Sequence, residues 1–220
     1  KTQPEAEKFT EPVYYDQFDF GENRDLQQIK QHPALWAWWL EDEPDGRYHR
    51  TELPRGSISR DVERANQFCR VFDADTPVYL QIDHGSYPRN LYTFGQIPDY
   101  LCTHAYALGA QNVVSTSQEH VAHTRAATRP RPFYYLNTGY CVREGTRVYE
   151  PREMQLEVYA ALAEGAKSLQ WYPAHGERGL LNHPEMWDAV GAMNGVLHQV
   201  LPLLAIGTPV AAPITEGGDV

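Results

Sequence analysis

The sequence predicts an α/β fold, a TIM (β/α)8 barrel that is incomplete in this chain because its first strands are missing. Three observations predict it. Strand-like runs that are apolar almost throughout alternate with segments of helical periodicity, the pattern of a parallel sheet covered by helices. No GxGxxG or GxxxxGK(S/T) turn follows any strand, which argues against an open nucleotide-binding sheet. The strand ends are unusually polar, and barrel sites are built where strands end.

The elements follow in order. Glu11 to Phe20 (EPVYYDQFDF) reads as an extended aromatic run, and NRDLQQIKQ as a short helix capped by Asn23. ALWAWWL is the next strand. After a polar loop from Pro44 to Ser57, SRDVERANQFCRVF sets Val62, Ala65, Phe68, Cys69 and Phe72 at helical spacing, with Ser59 as cap. TPVYLQIDH and IPDYLCTHAYAL are strands, STSQEHVAHTRAAT is a helix capped near Ser115 or Ser117, and RPFYYLNTGY is a further strand. PREMQLEVYAALAEGA has Pro151 in its first turn, Met154, Leu156, Tyr159 and Leu162 along one side, and Gly165 at its end. KSLQWYPAHG is the last buried strand, and PEMWDAVGAMNGVLHQVLPLL a long amphipathic helix. About six strands are countable where the barrel needs eight, so two are expected to precede Lys1. Residues 1–204 are read as the C-terminal part of the barrel. Residues 205–220 are read as the start of a following segment of β character.

Composition narrows the function classes. With 220 residues, 42% of them hydrophobic, the chain can bury a sizeable core. Its 19 basic residues against 29 acidic ones leave a net charge of -10, the wrong sign for a nucleic-acid or anionic-membrane partner. No apolar stretch is read as approaching the roughly 20 residues of a membrane helix, and no basic-then-apolar leader opens the chain, so a soluble chain is expected. Cys69, Cys102 and Cys141 lie far apart without a CxxC; free buried thiols are expected, with a single disulfide as the alternative. No GxSxG elbow supports a serine hydrolase. His84, His104 and His175 match no HxxxH or HExxH pattern, so neither a metal nor any other cofactor is expected.

HPALWAWWLEDEP, His32 to Pro44, ends an aromatic run on three acids. The tryptophans Trp36, Trp38 and Trp39 read as scaffold, since a barrel strand points alternate residues inward and outward. The acids mark where that strand surfaces. Glu43 follows the tryptophans and adjoins two other acids, so burial and like charge both push its pKa upward, as a proton donor requires. Further polar clusters end the other strands at Asp83-His84, His104-Tyr106, Asn137-Tyr140 and Trp171-Tyr172-His175.

The W-x-x-x-D-E-P stretch after HPAL resembles the fourth strand of clan A glycoside hydrolase barrels, whose usual motif is Asn-Glu-Pro with the Glu as acid/base. EMQLEVYAALAEGAKSLQWYPAHG is similar to the helix and eighth strand of β-galactosidase-type barrels. The resemblance covers roughly Glu11 to Leu204. It makes the strands ending at Asp83, at His104 or Tyr106, and in RPFYYLNTG the fifth, sixth and seventh. It implies cleavage of a glycosidic bond in an oligo- or polysaccharide by carboxylate acid/base catalysis, with Glu43 as proton donor. Asp42 stands where the family usually has an Asn that bonds the sugar 2-hydroxyl. On the seventh strand, where the family carries its nucleophilic Glu, FYYLNTGY offers Asn137 and no carboxylate. Asp83 is therefore taken as the second carboxylate, with Glu144 as the alternative. A separation of roughly 6.5 to 9.5 Å between the two would predict inversion and one near 5 Å retention. Asp42, His104, Tyr106, Asn137, Trp171 and His175 are expected to line the cleft.

Two other classes stay open. One is a non-catalytic glycan-binding or structural barrel that has lost its nucleophile; the other is a metal-dependent hydrolase built on His and Asp from several strands. Further domains of the same polypeptide are expected as partners, and a secreted or cell-surface setting is favoured over the cytoplasm.

Overall fold

The computed structural model describes residues 24–46, 57–83, 88–106, 114–140 and 148–207. The strand expected at Glu11–Phe20, together with His84, Cys141 and Glu144, lies outside them. Five strands form one parallel sheet in sequential order: β1 (Trp38–Asp42), β2 (Val78–Ile82), β3 (Tyr100–Thr103), β4 (Phe133–Thr138) and β5 (Ser168–Tyr172). Helix α1 (Arg24–Lys30) precedes the sheet, and α2 (Ser57–Phe72), α3 (Pro88–Phe94), α4 (Val114–Thr128) and α5 (Pro151–Ala163) form the crossovers. Helix α6 (Pro184–Ile206) follows β5 after a short 3-10 turn. This is a partial TIM-like arrangement with β1 and β5 as its edges.

Each strand sends alternate side chains to opposite faces. On the helix-facing side, Leu80, Ile82 and Leu101 pack with Ile58, Val62, Leu91 and Phe94 of α2 and α3. Farther along the sheet, Phe133 and Tyr135 meet Val121 and Ala161 of α4 and α5. Burying each such aliphatic side chain is worth about 1.5–3 kcal/mol. On the opposite side, the one that faces the lumen in a closed TIM barrel, Tyr79, Cys102 and Leu136 form a second cluster with Tyr100 and Tyr134. Trp36 lies over that layer, 5.7 Å from the Tyr79 ring and 5.8 Å from the Tyr134 ring.

Several expectations are corrected. Strand β1 starts at Trp38, so Ala34 to Ala37 precede it. Helices α2 and α4 begin at Ser57 and Val114, which puts Ser59, Ser115 and Ser117 inside the helices and not at their caps. The sequence reading missed α3 because Tyr, Asn and Thr are weak helix formers. In α5 the buried line is Met154, Val158 and Ala161, the i, i+4, i+7 set, while Leu156 and Tyr159 are exposed. Its start and end are as expected: Pro151 opens it, and Gly165 follows it at φ 98°.

Helix α6 corrects the expectation that no stretch is long and apolar enough to span a membrane. Its 23 residues include an 18-residue window of mean hydropathy 1.5, which satisfies that test by length and composition. Its first half packs inward through Met186, Val190 and Met193. Leu201, Leu203 and Ile206 of its second half are exposed. The helix also runs two residues past the expected segment boundary after Leu204.

Glu157 ties three elements together under the sheet. From α5, its Oε1 accepts hydrogen bonds from Ser117 Oγ of α4 at 2.7 Å and from Tyr135 OH of β4 at 3.0 Å. Burial raises its carboxyl above the ordinary value, against the opposing effect of those hydrogen bonds. The folded state therefore favours the protonated acid. Its stabilising contribution is complete below the unfolded pKa and is lost as pH rises from there through the folded value. Glu157→Gln, which keeps an acceptor for both hydroxyls, is expected to flatten the decline in stability as pH rises above about 4.5. Glu157→Leu is expected to cost about 1–3 kcal/mol by stranding those hydroxyls. Chemical denaturation of the full-length protein across pH checks both.

Candidate functional site

The site grows from the carboxyl ends of β1, β2 and β3. Between Trp39 and Asp42, β1 runs three residues while β2 runs two, from Tyr79 to Gln81, so the ladder is irregular just before the acids. Glu43 resumes the ladder by donating its N–H to Gln81 O at 3.0 Å. Its backbone sits at φ 49°, and Tyr106 beyond β3 sits at φ 43°. They are the two non-glycine residues with positive φ among those described. Side chains in that region cost about 1–3 kcal/mol each, a strain that concentrates at functional sites. The bulge and the turn at Glu43 replace the simple alternation expected for Glu41 and Glu43.

His104 continues the lumen-facing parity of Tyr100 and Cys102 and is fully buried. Its Nε2 lies 3.2 Å from Glu43 Oε1, and its Nδ1 lies 3.6 Å from Asp83 Oδ1. One ligand atom from each of Glu43, Asp83 and His104 lies within 4.8 Å of the others, a spacing at which the trio is able to hold a cation. Asp83 is held from behind: its backbone N–H donates to Oδ1 of the fully buried Asp45 at 3.0 Å. The Tyr106 ring packs against His104 in a tilted arrangement with centroids 4.1 Å apart, and Tyr172 lies 6.3 Å from Tyr106.

The electrostatics are those of crowded negative charge. Partial burial, then Glu43, Glu41 and Asp83, hold the Asp42 carboxyl above its ordinary value, with His104 pulling the other way. Burial, followed by Glu43, holds the Tyr106 phenol far above its ordinary value, so it is a neutral hydrogen-bonding group. Below the site, Tyr79 OH donates to Gln170 Oε1 at 3.1 Å, and burial pushes the Cys102 thiol up to about 12. Cys102 is thus an inert packing residue, free as expected.

Of the residues expected to form the site, Glu43, Asp83, His104 and Tyr106 come together, with Asp42 exposed beside them. Asn137 and Trp171 do not join them. Asn137 shares strand parity with Tyr135, is fully buried, and donates to Gln170 O at 3.1 Å. Trp171 packs toward the cluster of Met186 and Val190. His175 is exposed in the loop after β5. Two further residues are not among those expected to line the cleft, although Tyr172 reads as part of a polar strand-end cluster. Tyr172, one position after Trp171, has the parity of Gln170 and supplies the aromatic ring on the site side. Asp45 lies in what read as a polar loop, and only its burial identifies it.

No family model matches the chain, and no curated protein does. Solved structures share its fold. A β-galactosidase from Bacillus circulans sp. alkalophilus superposes with a TM-score of 0.58 at 16% identity, over 68% of this chain and 24% of that one. A β-galactosidase from the psychrophilic Marinomonas ef1 does so with a TM-score of 0.52 at 10% identity, over 70% of this chain and 30% of that one. The chain therefore spans about a quarter to a third of these neighbours, and the likeness is one of fold.

Asp45→Ala leaves the Asp83 N–H without its carboxylate acceptor, and a loss of about 1–3 kcal/mol is expected. Asp45→Asn keeps an oxygen acceptor and is expected to lose less. Urea denaturation of the two variants side by side decides whether this bond holds Asp83 in place.

Proposed function

We propose that this chain forms part of a glycoside hydrolase-like barrel, with Glu43 as proton donor and Asp83 as the second carboxylate. The observation that carries the reading is the convergence of Glu43 and Asp83 on the buried His104, at strand ends of a fold shared with β-galactosidases. Glycosidic cleavage needs two carboxyl groups about 5–5.5 Å apart for retention or about 6.5–9.5 Å apart for inversion. One oxygen of Glu43 and one of Asp83 lie within 4.8 Å of each other, and we take the retaining arrangement. In that arrangement Asp83 attacks the anomeric carbon while the Glu43 proton passes to the departing oxygen. Water then releases the sugar, its proton going to the Glu43 carboxylate. Tyr106 and Tyr172 supply an aromatic wall for the apolar face of a sugar ring.

The second reading, a barrel that binds glycans without turning them over, is favoured by the end of β4. Its last residues, Leu136, Asn137 and Thr138, bring no carboxylate to the lumen. One experiment separates the two. The full-length protein is assayed on a panel of aryl glycosides and polysaccharides, and Glu43→Gln and Asp83→Asn are assayed on the best substrate. Losses of at least about 100-fold in kcat for both variants, with substrate still bound, are expected. Unchanged turnover in Glu43→Gln would refute the proton-donor assignment. Glycan binding without cleavage of any substrate would establish the second reading.

A further inference from the structure

We propose that Glu43, Asp83 and His104 form a divalent-cation site, the ion being held by both carboxylates and one imidazole nitrogen. The proposal uses the residues of the proposed glycosidase site but does not rest on that reading.

The argument starts from the fully buried His104. Its Nδ1 is buried without a hydrogen-bond partner and faces Asp83 Oδ1 across 3.6 Å, too far for a hydrogen bond. Its Nε2 faces Glu43 Oε1 at 3.2 Å. In the tautomer whose Nε2–H donates to Glu43, the Nδ1 lone pair faces Asp83. That lone pair, unpaired inside the protein, is a ligand without an ion. Ligands bound about 2.0–2.2 Å from one cation lie roughly 3–4 Å apart, and the 3.6 Å between His104 Nδ1 and Asp83 Oδ1 already has that value. Asp83, braced by Asp45, completes the set within 4.8 Å.

Sequence charge points the same way: Glu41 and Asp42 directly precede Glu43, so the end of β1 carries three acids in a row. The donor set of one nitrogen and two carboxylate oxygens suits Zn2+ or Mn2+ better than Mg2+ or Ca2+, which prefer oxygen alone. Three protein ligands leave positions open for water or a sugar hydroxyl. An ion on Glu43 also removes its ability to donate a proton, so the cation is expected to inhibit any glycoside turnover by this site.

The test is calorimetric titration of the full-length protein, stripped with a chelator, with Zn2+ and with Mn2+. One saturable equivalent of at least one ion is expected, weakened at least about tenfold by Asp83→Asn and by Glu43→Gln. Both replacements are isosteric, and thermal melts confirm that each variant is folded. Should Asp83→Asn fail to fold, Glu43→Gln decides, because that side chain is already partly exposed. Absence of saturable binding tighter than about 100 μM for both ions overturns the proposal. So does binding of undiminished strength in a folded variant. Cation binding without glycoside cleavage leaves this site standing and removes the hydrolase reading. Cleavage without cation binding does the reverse.

Discussion

The two-residue period of a parallel strand, locked by cross-strand register, determines which side chains can meet. Tyr79 pairs with Tyr100, Gln81 with Cys102, and Cys102 with Tyr134, so the lumen-facing parity runs unbroken from β2 to β4. A one-residue slip would exchange this polar and aromatic layer for the aliphatic set under the helices, exposing Leu80, Ile82 and Leu101. The aliphatic burial therefore enforces the site: His104 lies in the lumen because Leu101 and Thr103 cannot. Thr103 is itself fixed on the helix side by its contact with His120 of α4.

Burying His104 is costly unless the charges around it compensate. The structure gathers that compensation at one end of the sheet. The irregular register of β1 and the left-handed backbone at Glu43 swing its carboxylate toward the imidazole. Asp45 holds the chain at Asp83, and Tyr106, also left-handed, closes over the ring. Two strained backbones and a buried acid spent on one imidazole are difficult to explain by packing alone.

The sequence made the layer order legible, because apolar strand runs alternating with helical periodicity have few other solutions. The strand-end position of Glu43, Asp83, His104 and Tyr106 was legible because each lies within a few residues of the end of an apolar run. Asn137 and Trp171 were misplaced for a single reason, strand parity. Apolar runs buried on both faces carry no alternation from which inward and outward positions can be read. That ambiguity made Trp171, and not the adjacent Tyr172, the expected cleft-lining ring. Asp45 and the bulge in β1 were illegible because both depend on contacts between β1 and β2, which no local pattern encodes.

The strands that supply the cluster say what kind of chemistry it suits. Glu43, Asp83 and His104 come from three consecutive strands, so they form one continuous edge of the site. Opposite them stands an aromatic ring, Tyr172, with no carboxylate among the described residues at the end of β4. Such a cluster concentrates negative potential at one end of the sheet. A field of that form stabilises positive charge whether the charge is a bound dication or develops on a sugar ring as its glycosidic bond breaks. The two demands differ in one respect. A dication requires Glu43 and Asp83 both ionised, whereas bond cleavage requires Glu43 to hold a proton while Asp83 does not. With both carboxylates facing one imidazole, the protonation of Glu43 is thus the variable that separates a metal site from a hydrolytic one.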